Sequence, residues 1–157
     1  MFRQGLARLA IFLPFSLICS IAAAQSQETV YRHVSSDKLE AVLKELNISH
    51  QKSAGKKDGI FVYDYERKGV KVRLYNYSGE DLWVESDYTE KATLDLANRW
   101  NMRAKFSRAV LVNDGKLATL SLESQIDCTL GITEGMMREF IRRFDGEILA
   151  FGEFLKK

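Results

Sequence analysis

The sequence predicts an α+β domain with the element order α-β-β-β-α-β-β-α, an antiparallel sheet packed against helices. Three observations carry that expectation. Apolar residues recur at helical spacing in three separated stretches, the period falls to near two between them, and glycine-centred turn signals divide the alternating stretches. Strands grouped between helices, rather than alternating singly with them, fit one sheet covered by a helical layer. An apolar content of 46% with 11% aromatics is that of a chain able to bury a core.

Ahead of the domain, residues 1–24 read as a signal peptide. Arg3 and Arg8 give a positive start, residues 9–21 are almost unbroken apolar, and Ala22, Ala23 and Ala24 supply the small residues of a cleavage site. The apolar run to Ala24 is shorter than the roughly 20 residues of a spanning helix, so no stable membrane anchor is expected after cleavage near Ala24. Ile18 before Cys19 does not suit lipid attachment. The expected product is periplasmic or secreted. Without Arg3 and Arg8, the 23 basic residues become 21 and balance 21 acids. A neutral mature chain lacks the cationic footprint of a nucleic-acid binder. Cys128 is then the sole cysteine: either a buried small hydrophobe or a thiol that links two chains.

Residues 25–35 are polar and aperiodic and are expected to form a flexible N-terminal tail before a domain at 36–157. The first helix is expected over 37–46, capped by Ser36 or Asp37, with Leu39, Val42, Leu43 and Leu46 on one face. Residues 51–59, with three lysines and two glycines, read as a solvated loop. Three strands of a meander follow over 60–88. In the second, Val70, Val72 and Leu74 oppose Lys71, Arg73, Tyr75 and Tyr77; in the third, Leu82 and Val84 oppose Trp83 and Glu85. The first has no clean parity. Thr89 is expected to cap a second helix reaching Asn101, with Ala92, Leu96 and Trp100 stacked. A hairpin over 106–112 and 117–123 turns at Asn113, Asp114 and Gly115. The last helix, 134–155, carries the stripe Met137, Phe140, Ile141, Phe144, Ile148, Phe151 and Leu155, an Ile132–Met137 staple, and Glu134–Arg138 and Glu139–Arg143 pairs.

No catalytic, cofactor or metal site is expected. His33 and His50 lack acidic or thiol companions at ligand spacing, Asp114 and Gly115 lack the rest of a calcium loop, and no nucleophile elbow, phosphate-binding glycine loop or zinc motif occurs. The basic set Arg99, Arg103, Lys105 and Arg108 is denser than elsewhere; the dipole at the end of the second helix accounts for Arg99 and Arg103, the other reading being an anion-binding role. Tyr75, Tyr77 and Trp83 are the candidate partner surface, because parity turns all three away from the apolar face; the other reading is that they are covered within the domain.

From Asn98, Arg99, Trp100 and Asn101, through Phe106, Arg108, Ala109, Asp114 and Gly115, to Gly131, Ile132 and Thr133, the chain resembles the YbjN family, bacterial proteins described as sensory transduction regulators. The likeness implies a fold like that of type III secretion chaperones and a non-enzymatic protein that binds a protein partner or forms a homodimer, without a cofactor. It carries no catalytic residue. The residues themselves make Trp100 and Phe106 core positions and Asn101 a hydrogen-bonding residue at a helix end. The function expected is a protein-binding or regulatory module, chaperone-like or sensory, the alternative being a small-ligand-binding protein or envelope-stress enzyme with an unrecognised cleft.

Overall fold

The computed structural model describes residues 28–89, 91–113, 115 and 117–157. The leader, the first residues of the expected tail, Asp114 and Lys116 lie outside them. Eleven elements follow one another: β1 (Val30–Tyr31), α1 (Ser36–Glu45), β2 (His50–Ala54), β3 (Ile60–Arg67), β4 (Val70–Tyr77), β5 (Asp81–Tyr88), α2 (Leu94–Asn101), β6 (Arg108–Asn113), β7 (Ala118–Asp127), β8 (Ile132–Thr133) and α3 (Glu134–Leu155). The fold is α+β, as expected. Three helices accompany a six-stranded sheet in the order β2-β3-β4-β5-β7-β6, antiparallel at every step, and β1 pairs with β8 in a separate two-residue ladder. No helix among the described residues is long and apolar enough to cross a membrane.

Register settles the faces. Tyr63, Leu74, Val84 and Ser124 lie in one row across β3, β4, β5 and β7, and Leu122 stands beside Ala109 of β6. These side chains point inward, where α1 contributes Leu39, Val42 and Leu43 and α3 contributes Met137, Phe140, Ile141, Phe144, Ile148 and Phe151, all buried. The first meander strand is now assigned: Tyr63 and Tyr65 face the core, while Asp64 and Glu66 face out. Its parity was obscured because Phe61 and Val62, neighbours on opposite faces, are both half-buried.

Several local expectations are corrected. The segment expected as a flexible tail carries β1 from Val30; Glu28 accepts a hydrogen bond from the Gly135 amide at 2.6 Å, and Tyr31 donates to Glu134 at 3.0 Å. A two-residue ladder held by distant partners leaves no periodic trace. The expected loop at 51–59 begins as edge strand β2, whose side chains are mostly exposed and therefore need no apolar alternation. Ser35, rather than Ser36 or Asp37, caps α1 by accepting from the Lys38 amide. The second helix starts later than expected: Thr93 caps it through the Leu96 amide, and Thr89 lies outside. Thr133 caps α3, and Ile132 and Met137 are both buried at its entry. Glu134 pairs with Arg138 at 3.7 Å, whereas Arg143 lies over the Phe106 ring at 4.3 Å instead of reaching Glu139.

Cys128 is fully buried, with its thiol pushed up to about 11 by burial and by the carboxylates of Asp81 and Asp127. Of the two readings left open by the sequence, the buried hydrophobe holds; a thiol so placed cannot link chains while the fold is intact.

Candidate functional site

The described helices cover one face of the sheet, and among the described residues none covers the other. Its centre is set by register. Val62, Tyr75, Trp83 and Gln125 form one row from β3 to β7, and the next is Asp64, Arg73, Glu85, Glu123 and Arg108, ending on β6. Ile60, Tyr77, Asp81 and Asp127 make the row on the other side of the aromatics, while Glu66 opposite Lys71, with Asp87, occupies the far end. The three sequence-predicted residues Tyr75, Tyr77 and Trp83 therefore come together on this face. Tyr75 and Tyr77 stack with centroids 5.8 Å apart and planes 18° apart, and Trp83 lies directly across from Tyr75. They wall an open groove of about 770 Å³ whose rim is the β2–β3 loop and the β4–β5 turn.

Arg73 organises the charge beside them. Its guanidinium donates to Glu85 and Asp87, each at 3.0 Å, and to the Tyr75 hydroxyl at 3.2 Å, and lies 3.8 Å from Asp64. The Tyr75 hydroxyl in turn donates to Glu85 at 2.8 Å, so one phenol is held between cation and carboxylate. Burial, above all, raises the Tyr75 pKa. Arg108 donates to Glu123 at 2.9 and 3.1 Å and lies over the Trp83 ring at 5.3 Å. Burial raises the Glu123 carboxyl above its ordinary value; Arg108 opposes the rise, and Glu85 and Asp87 add to it. The far half of the face forms a charged trough of about 640 Å³, lined in part by Asp64, Glu66, Arg73, Glu85 and Asp87.

Each edge strand of the sheet has a local contact. On β6, Asn101 accepts from the Ala109 amide at 2.7 Å and donates to the Ala109 carbonyl at 2.9 Å, satisfying both groups as a neighbouring strand would. Strand β2 has only five residues, and its Lys52 ammonium lies over Phe61 at 4.6 Å.

The family-motif residues do not form one site. Trp100 is core: its indole donates to Ser107 at 3.1 Å and meets Phe151 edge to face at 4.9 Å, and Ser107 bonds Glu147. Phe106 is only half-buried, against Phe140 at 5.8 Å. Asn101 ends α2, as expected, but its partners are on the strand edge. Asn98 is exposed, Arg108 belongs to the open face, and Gly115 donates its amide to Asn113 at 2.9 Å in the hairpin turn. The basic set disperses too. Arg103 lies 5.7 Å from both the Trp100 and the Phe154 rings, and Arg99, in the last turn of α2, lies 5.5 Å from Phe154 and 3.8 Å from Asp95, so aromatic rings join the helix dipole as neighbours of these cations. His50 packs on Tyr63 at 5.4 Å, and His33 sits against the β4–β5 turn. Among the described residues no group of three or more potential ligands could hold a metal ion.

Two residues escaped the sequence reading. Glu123 was discoverable in part: alternation along β7 puts it on the face opposite Leu120 and Leu122, although its place beside Glu85 comes only from the pairing of β5 with β7. Asn76 follows Val72 and Leu74 on the apolar parity, and that misplacement is its signal: it is buried, donating to the Val34 carbonyl at 2.8 Å and accepting from the Gly79 amide at 2.6 Å. Gly79 must be glycine there, with φ at +76° and the His33 ring 2.7 Å from where a Cβ would stand.

Helices on one face of a six-stranded antiparallel sheet, with an aromatic and charged surface on the other, define the class: a small α+β domain presenting an open sheet. The chain belongs to the YbjN family, whose profile, described as "Putative bacterial sensory transduction regulator", matches residues 35–157. Among solved structures it is similar to YbjN from E. coli, described as "a putative transcription regulator", with a TM-score of 0.62 at 17% identity, over 82% of this chain and 93% of that one. At that identity the likeness is one of fold. The comparison with curated proteins gave no match.

Proposed function

We propose that this chain is a periplasmic or secreted, non-enzymatic regulatory module that binds a protein through the open sheet face. The observation that carries the reading is the juxtaposition of Tyr75, Tyr77 and Trp83 on a face that none of the described helices covers. A one-sided antiparallel sheet normally shows water charge and threonine there. Rigid aromatics of this kind are common anchors of protein contacts, roughly 2 kcal/mol or more each when central. The export signal in residues 1–24 supports the location, and the family's description supports a regulatory role. A ligand-binding or catalytic reading would have to use the charged trough, where Glu85 already accepts from both Arg73 and the Tyr75 hydroxyl.

The test is replacement of both Trp83 and Tyr75 by serine. The variant is expected to stay folded and to lose partners captured from a periplasmic extract, or to lose self-association in analytical ultracentrifugation. If parent and variant are both monomers that capture the same proteins, the face is not the functional surface. Amino-terminal sequencing of the exported protein checks the location: Gln25 is expected first, and full-length chain in the membrane fraction overturns it.

A further inference from the structure

The open face is not electrically neutral, although the chain expected after leader removal is. Its rows hold seven carboxylates, on β3, β5 and β7, against three cations, Lys71, Arg73 and Arg108. At the rim Lys56 and Lys57 are offset by Asp58 and Glu80, while Lys105, which lines a cleft with Trp83, and Lys91, which lines one with Asp87, reduce the surplus without cancelling it. The surplus is concentrated beside the aromatics: one guanidinium, Arg73, serves Asp64, Glu85 and Asp87, and the exposed side chains of Asp64 and Asp87 keep accepting capacity toward water.

Resting on the reading of this face as a protein-docking surface, we propose that its partner presents a basic segment, lysine or arginine side chains alternating with apolar ones. Acids at this density repel an acidic segment and draw a basic one from a distance. The stacked phenol faces of Tyr75 and Tyr77 then offer cation–π contact to the same side chains whose charge the carboxylates match. The apolar members of such a segment have Trp83, Val62 and Ile60 to cover. Acid and aromatic features are interleaved on adjacent rows, so one extended segment meets both.

The probe is a synthetic peptide of alternating Lys and Leu, with its Glu/Leu counterpart as control, titrated into the exported protein. Trp83 fluorescence reports the binding, since the only other tryptophan, Trp100, is buried. The Lys/Leu peptide is expected to bind at least about tenfold more tightly than the Glu/Leu peptide, and to weaken as added salt screens the face. The triple variant Asp64→Asn, Glu66→Gln, Asp87→Asn, checked for an unchanged melt, should lose most of that preference. Equal binding of the two peptides, or salt-insensitive binding, overturns the proposal. Binding of spermine as tight as that of the Lys/Leu peptide also overturns it, because the face would then be reading charge alone. The two levels separate cleanly. If the Trp83 and Tyr75 replacements abolish partner capture but captured partners bind equally at high salt, the docking surface stands and the basic segment falls; if those replacements change nothing, the docking surface itself falls.

Discussion

The two faces of β4 and β5 are made by the same sixteen residues and solve opposite problems. Inward, Val72, Leu74, Leu82 and Val84 are buried among helix side chains, and the polar residues there, Asn76 and Ser86, are each tied to backbone: Asn76 to Val34 and Gly79, Ser86 to the Lys71 carbonyl at 2.8 Å. Outward, Arg73, Tyr75, Glu85 and Asp87 bond side chain to side chain, in partial contact with water. Polar groups on the first face hold the chain's path; those on the second hold one another. Substitutions on the inner side should therefore cost stability, and those on the outer side should cost binding and change how stability depends on pH.

The largest effect is expected at Trp100, whose ring closes the gap between α2 and α3. Trp100→Ala should lose about 3 to 5 kcal/mol, a large share of a domain's stability, and lower the melting temperature sharply. A variant that melts like the parent yet loses partner binding would move Trp100 to the functional side of the comparison. Next is Asn76→Ala, which strands the Val34 carbonyl and the Gly79 amide in the interior; each buried group left unpaired costs roughly 1 to 3 kcal/mol, to be read from denaturant unfolding. Asn101→Ala should cost less, on the order of 1 kcal/mol, because its partners lie at a strand edge nearer water. Its distinctive result is concentration-dependent association in ultracentrifugation as the β6 edge opens at Ala109.

The smallest effect sharpens the outer side. Burial lifts the Glu123 carboxyl above its ordinary 4.5, so the folded chain holds that proton more tightly than the unfolded one. Its contribution to stability is full below 4.5 and is lost as pH rises through the raised value. Glu123→Gln should flatten that part of the profile. Asp145, raised by burial from 3.8 on the helix side, should keep a similar slope at lower pH in the same variant. An unchanged profile would show that Glu123 is better solvated than its burial implies.

Much of this comparison was legible in the sequence. Strict alternation in Val70, Val72 and Leu74 against Lys71, Arg73 and Tyr75 assigned both faces of the central strand, and the apolar stripe on α3 located the covering layer. What alternation cannot report is pairing between strands remote in sequence. That Glu85 stands beside Glu123, or that Trp83 sits under Arg108, depends on β7 returning inside β6 to reach β5. Strand β2 escaped because the sequence His50, Gln51, Lys52, Ser53 and Ala54 buries almost nothing, and hydrophobic periodicity sees only burial. Asn101 was readable as a hydrogen-bonding residue at a helix end, but its partner lies beyond an irregular connection whose path no local rule sets.

The ladder joining β1 to β8 bears on the order of events as the chain emerges. Glu28, Tyr31 and Lys38 take partners 96 to 107 residues downstream, at Glu134 and Gly135. A chain delivered amino terminus first can form the β3–β4–β5 meander early, from neighbours in sequence. It cannot fasten its own beginning until the start of the last helix has arrived. Loop closure over such a span is entropically slow, so completion of the domain waits on its final quarter. That delay keeps the leading end unfastened until almost the whole chain has appeared, and the clasp is the last part of the domain to shut.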